Sequence, residues 1–139
     1  MNNHQQIQTL LAQYCFVTDT GAADDIAALF WEDCTVRFGE NTNVGIEKAR
    51  AGFARWIEKM RDPIVGLRHI LHTPMIKIDG NRATAKAYYD ADGHSRNKGK
   101  LIQLRGVYID TLEKRGGEWK FLEKEVQIWR SVLDHAGAS

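Results

Sequence analysis

Apolar positions recur at helical spacing through the first half of the chain and at strand spacing through the second. Ile7, Leu10, Leu11, Tyr14 and Val17 predict an amphipathic first helix that Gly21 ends. Asp24 is placed to start a short second helix whose apolar members are Ile26, Ala27, Leu29 and Phe30. Thr35-Val36-Arg37-Phe38 reads as a short strand. A third helix follows Gly45, with Ile46, Ala49, Phe53, Trp56, Ile57 and Met60 on one face and Glu47, Lys48, Arg55, Glu58 and Lys59 elsewhere, until Asp62-Pro63 stops it. From Val65 onward turn signals separate strand-length runs: roughly residues 65–78, 82–90, 99–113 and 117–131, joined by Asp79-Gly80-Asn81, by the polar stretch from Ala91 to Lys98, and by Gly116-Gly117. The expected fold is α+β: three N-terminal helices packed on a strongly curved, mainly antiparallel sheet that forms a conical pocket.

A chain of 139 residues fits one domain over residues 1–139. Nineteen Lys and Arg against eighteen Asp and Glu leave a net charge of +1, which removes any general electrostatic argument for nucleic acid or an anionic membrane surface. No run approaches the length of a membrane span and the opening residues lack a secretory pattern, so a cytoplasmic protein is expected. Cys15 and Cys34 lack CxxC spacing and are expected to be reduced thiols. Side chains alternate along a strand, so His69 and His72 fall on opposite faces and a metal site from this pair is not expected. The parity of apolar residues slips from odd at Leu67 and Leu71 to even at Ile76 and Ile78, and Pro74 marks the place for a bulge.

Candidate chemistry gathers on Asp19, at the end of the first helix, and His69, on the first long strand. A buried carboxylate beside an imidazole orients the ring, fixes its tautomer and stabilises its protonated form, which suits proton abstraction at neutral pH. Each residue also has a plain reading: Asp19 as the cap of a turn with Thr18, Thr20 and Gly21, and His69 as a core histidine satisfied by a carbonyl. Tyr14 shares the apolar stripe, where a core Tyr with one hydrogen bond is the default. An ideal helix sets positions 14 and 19 about 140° apart, so the two converge only if the helix ends before Asp19. Trp31, Trp56 and Trp129, with Tyr88, are candidates for a cavity wall around an apolar ring, against the alternative of ordinary core packing that also covers Trp119. His94 lies in an expected exposed loop, and Cys15, one turn before Asp19, has nothing nearby that marks a nucleophile.

Tyr14-Cys15-Phe16-Val17-Thr18-Asp19-Thr20-Gly21, Ala28-Leu29-Phe30-Trp31-Glu32-Asp33, the Gly45 helix start, Arg68-His69, Gly106-Val107-Tyr108-Ile109-Asp110 and Gly117-Glu118-Trp119-Lys120-Phe121 occur in this order along nearly the whole chain. In this it resembles the SnoaL-like proteins of the nuclear transport factor 2-like superfamily. That superfamily holds dehydratases, isomerases, cyclases and non-catalytic binding proteins, so the resemblance is more specific for fold than for function. The pattern is most similar to the lyase branch with scytalone dehydratase, bile-acid 7-alpha-dehydratase and hexachlorocyclohexane dehydrochlorinase. The resemblance implies catalytic roles for Asp19, His69 and Tyr14, and the run His69, His72, Thr73, Pro74 is its sharpest local match. The chain also departs from the branch: the strand Ala83 to Tyr89 has no second histidine, Asp90 and Asp92 only bracket the expected acid, Ile128 lies near the expected Arg with Arg130 displaced, and the commonly basic position is Lys124.

The expectation is a small lyase of dehydratase type, needing neither metal nor organic cofactor, that takes a proton from a small apolar, ring-containing substrate. An isomerase with the same proton-transfer parts is the alternative, and so is a non-catalytic module that binds a ligand in the same cone. Leu101, Leu104, Val107, Ile109 and Leu112 put apolar residues on both faces of the sheet, so a homodimer or homotrimer through the sheet is expected.

Overall fold

The computed structural model describes residues 1–129. Helix α1 spans Asn3–Thr20; the Asn2 side chain accepts the Gln5 N–H while the Gln5 side chain accepts the Asn2 N–H, a reciprocal cap that fixes the start. Its buried stripe of Ile7, Leu10, Leu11, Tyr14, Cys15 and Thr18 packs on the sheet. Helix α2 is only Ala23–Ala27, and Phe30 belongs to the next element instead of the helix, opening strand β1 over Phe30–Phe38. Strand β2, Asn41–Val44, pairs antiparallel with β1. It escapes the apolar pattern because its Asn41-Thr42-Asn43 run carries no buried side chain. Helix α3, Ile46–Trp56, continues into a π-helical turn, Ile57–Arg61, that stops at Asp62-Pro63 as expected.

The expected strand over residues 65–78 is two strands, β3 (Ile64–Leu71) and β4 (Met75–Asp79), separated where Pro74 can donate no ladder hydrogen bond. Strand β5, Arg82–Ser95, runs through most of the stretch read as a loop. Ala91 and Gly93 there continue the buried alternation of Ala83, Ala85, Ala87 and Tyr89. Strands β6 (Leu101–Arg115) and β7 (Glu118–Trp129) follow, joined at Gly116-Gly117, whose φ values of 57° and 82° suit glycine. The expected last positions of that strand, 130 and 131, and Arg130 with them, lie outside the described residues.

The sheet order is β2-β1-β7-β6-β5-β3 with β4 also paired to β5; β1 and β7 are parallel and every other pair is antiparallel. The helices cover the concave face. Ala83, Ala85, Ala87 and Ala91 of β5 are buried, and Phe30, Leu112 and Phe121 fill the core. Among the described residues no helix is long and apolar enough to cross a membrane.

Candidate functional site

Strand β3 lies at the sheet edge, so backbone N–H groups facing away from β5 need partners from outside the sheet. Asp19 supplies one. Its carboxylate accepts the His69 backbone N–H at 3.0 and 3.1 Å and meets His69 Nδ1 at 2.6 Å. Helix α1 continues through Asp19 to Thr20, so the condition for Tyr14 and Asp19 to converge on one face is not met. Tyr14 lines the cavity, whereas Asp19, on another side of the helix, reaches His69 of the edge strand. With Nδ1–H held by the carboxylate, the lone pair of the neutral ring falls on Nε2. The His69 side chain is only 8% exposed and that of Asp19 12%, so the pair works largely out of water. Trp56 and Tyr89 flank the ring at centroid distances of 6.1 and 6.0 Å.

His69 lines a cavity of about 350 Å³ between the concave sheet, α1 and α3. The body of the wall is apolar and aromatic: Ile26, Val36, Phe38, Phe53, Trp56, Met60, Ile64, Leu67, Tyr89, Leu104, Tyr108, Val126 and Ile128. Tyr14 and Thr18 from α1 complete it, and Asn41, Asn43, Arg55 and Lys59 add polar groups from β2, α3 and the π turn. Tyr89 and Tyr108 stack at 4.1 Å with planes 8° apart, and Tyr14 meets Tyr108 edge-on at 5.6 Å. Burial pushes the Tyr14, Tyr89 and Tyr108 phenols well above their ordinary value. All three therefore stay protonated and can donate. Among the described residues Thr18 Oγ1 is buried without a hydrogen-bond partner.

Behind this wall lies a buried ion pair. Asp110 and Lys124 are directly opposed on β6 and β7, with Nζ 3.1 and 3.2 Å from the two carboxylate oxygens. The ammonium also sits 4.0 Å from the centres of the Tyr14 and Tyr108 rings, a cation–π contact on each. Burial raises the Asp110 carboxyl and lowers the Lys124 ammonium relative to their ordinary values, each partly offset by the other's charge. Burial likewise pushes the Cys15 thiol up to about 11, so at neutral pH it is a thiol.

The structure brings Asp19, His69, Tyr14 and Trp56 together at or behind this wall and leaves three expected wall residues outside it. Tyr88 is 59% exposed because it alternates with Tyr89, which takes the inward position. Trp129 sits on the same outer face, edge-on to Tyr88 at 5.6 Å, while Ile128 points into the cavity. Trp31 alternates with the buried Phe30; it donates to the Glu113 carbonyl at 2.8 Å beneath the Arg115 and Lys120 cations. Trp119 is core, its Nε1 donating to Asn3 at 3.1 Å. The alternation Ala83, Ala85, Ala87, Tyr89 is the sequence signal that distinguishes Tyr89 from Tyr88. No comparable signal marks Tyr108 or the depth of Lys124. His72 pairs with Asp90 at 2.6 Å on the outer face, both about half exposed, so a second Asp–His pair exists but faces solvent. Among the described residues no three His, Cys, Asp or Glu side chains converge in a metal-binding group.

A curved, mostly antiparallel sheet covered by helices around a cavity places the chain among small α+β proteins with a cystatin-like fold. The chain matches the SnoaL-like domain over residues 1–125 and belongs to that family. It is similar in structure to a protein of unknown function with a cystatin-like fold from Nostoc punctiforme, at 19% identity and a TM-score of 0.79 over 93% of this chain and 92% of the other. It is also similar to a "Putative Scytalone Dehydratase" from Novosphingobium aromaticivorans, at 22% identity and a TM-score of 0.80 over 91% and 84% of the two chains. A hexachlorocyclohexane dehydrochlorinase, LinA type 2, matches at 18% identity and a TM-score of 0.76 over 91% and 85%. At these identities the likeness is one of fold. No curated protein matches the sequence.

Proposed function

We propose that the protein is a cofactor-independent lyase of dehydratase type acting on a small, largely apolar, ring-containing carbonyl compound. The observation that carries the reading is the 2.6 Å contact between Asp19 and Nδ1 of a His69 ring that lines the apolar cavity. In this reading Nε2 takes the proton from the carbon next to the carbonyl, and Asp19 stabilises the imidazolium that results. Tyr14 donates a hydrogen bond to the carbonyl oxygen as negative charge gathers there. The C–O bond to the β-hydroxyl then breaks, the imidazolium returns its proton to the departing oxygen, and water leaves with the ring neutral again. Returning the proton to a more distant carbon would give an isomerase with the same parts. Trp56 and Tyr89 would hold the substrate ring, and a cavity near the lower end of the ligand-site range suits a small molecule. The oligomer expected through the sheet has its support in Tyr88, Trp129, Ile70 and Ile109, all exposed on the outer face.

Hydrogen–deuterium exchange at the α-carbon, followed by NMR in D₂O with a panel of cyclic ketones and β-hydroxy ketones, tests proton abstraction without assuming a leaving group. Catalysed exchange or water loss should fall by about 10²–10⁴-fold in His69→Gln. Asp19→Asn should lose turnover while still binding. Exchange that is unchanged in both variants would sink the catalytic reading in favour of a binding module.

A further inference from the structure

Gly52 occupies the interior of α3, where glycine costs about 1 kcal/mol against alanine, so its presence asks for a local reason. A Cβ added there would lie 2.9 Å from Asn43 Nδ2 and 3.8 Å from Arg55 Nη2. The missing methyl is therefore what lets the Asn43 amide of β2 close on the helix beside the Arg55 guanidinium. Gly52, Asn43 and Arg55 all line the cavity, as do Asn41, which shares a strand face with Asn43, and Lys59, one turn beyond Arg55. Arg55 and Lys59 are exposed, whereas the His69 side chain is buried. Neither forms an ion pair among the described residues, whereas Arg50, Arg68, Arg82 and Arg115 all do. Among the described residues no carboxylate lines the cavity to balance them.

We propose that this cluster is an anion subsite: the substrate carries a carboxylate or phosphate held by Arg55 and Lys59 with the Asn41 and Asn43 amides, while its apolar ring reaches inward to His69. The inference deepens the lyase reading by naming the substrate class, and it rests on that reading only for what happens at His69. Two cations and two amide donors in a largely apolar and aromatic cavity match an oxyanion attached to a hydrophobic body. A guanidinium offers the planar fork that fits either carboxylate or phosphate. The cost of holding the two cations together without counter-ions falls when an anion sits between them.

The test is a binding titration with three probes, cinnamate, phenyl phosphate and neutral cinnamamide, followed by the NMR signals of the Trp56 indole and the His69 ring. The anions are expected to bind about tenfold or more tighter than the amide, with the tighter of the two identifying the group. Raising the salt concentration should narrow the gap. Arg55→Gln with Lys59→Gln should abolish the preference while leaving cinnamamide binding unchanged, and Gly52→Ala should weaken the anions selectively. Asp19→Asn should keep the preference, so a protein without turnover still reports on the subsite. Equal binding of all three probes, binding of none, or a preference that survives the double substitution would overturn the proposal.

Discussion

Thr18 places a polar atom in the cavity wall where the described residues give it no partner. Its Oγ1 is buried without a partner in the wall that also presents Tyr14, and an unsatisfied buried hydroxyl carries a desolvation penalty. Replacing it with the isosteric valine removes that penalty and keeps the shape. Thr18→Val should therefore leave the unliganded protein as stable or stabilise it by about 1 kcal/mol, read from chemical denaturation; a loss of more than that would show that the hydroxyl is satisfied after all. At this scale the pairing of Asp19 with His69 was legible and its surroundings were not. Asp19 and His69 stand out because carboxylate and imidazole are the residue types that proton transfer needs, and their meeting follows from a helix end laid against a sheet edge. Tyr88, Trp129 and Trp31 failed as wall residues for one shared reason. Each neighbours a residue of the opposite parity that takes the inward place: Tyr89, Ile128 and Phe30. An aromatic side chain advertises area; only register says which face it covers.

Among the elements, the last turn of α1 carries the most consequence, because it aims Asp19. Helix C-termini leave carbonyls without partners, and here Arg61 from the π turn donates to Thr18 O at 3.1 Å and Gly21 O at 2.6 Å. Its charge also complements the negative end of the helix. Arg61→Ala should destabilise the protein by about 2–3 kcal/mol and weaken proton-exchange turnover with little effect on ligand binding. Arg61→Lys should recover part of both, since an ammonium keeps the charge but lacks the planar fork. Denaturation and kcat measured separately from KM would check this; unchanged kcat in Arg61→Ala would mean that the clamp holds the fold and not the dyad. The sequence pattern located α1, α3 and the stop at Asp62-Pro63, because apolar spacing and proline act locally. It did not locate β2, whose polar residues have no buried face, or the π turn, whose extra residue follows from packing. The polar stretch after Ala91 reads as a loop by composition, yet small residues there are what the tight β3–β5 approach requires: a Cβ on Gly93 would collide with Ile64.

Over the whole molecule, the curved sheet under helices was legible from the change of apolar period, whereas the parallel β1–β7 pairing and the ion pair inside the cone were not, since both depend on contacts distant in sequence. The Asp110–Lys124 pair is the feature most open to a thermodynamic test. Its side chains are 2% and 1% exposed, so both charges have lost their hydration, and bidentate contact with two aromatic faces is the compensation. Replacing both, as Asp110→Leu with Lys124→Met, should be neutral or stabilising, as apolar substitutes for buried pairs often are. The pH dependence follows from the two shifts. Because burial raises the Asp110 carboxyl, the folded chain takes up a proton there before the unfolded chain does, so the penalty eases as pH falls through the raised value. Because burial lowers the Lys124 ammonium, the folded chain gives up that proton first, so the penalty eases as pH climbs towards 10.5. The stability gained by the double variant should consequently be largest on the neutral plateau and shrink toward acid and alkali alike, measured as the difference between two denaturation series against pH. A difference that does not vary with pH would mean that the pair does not carry the burial cost its geometry implies.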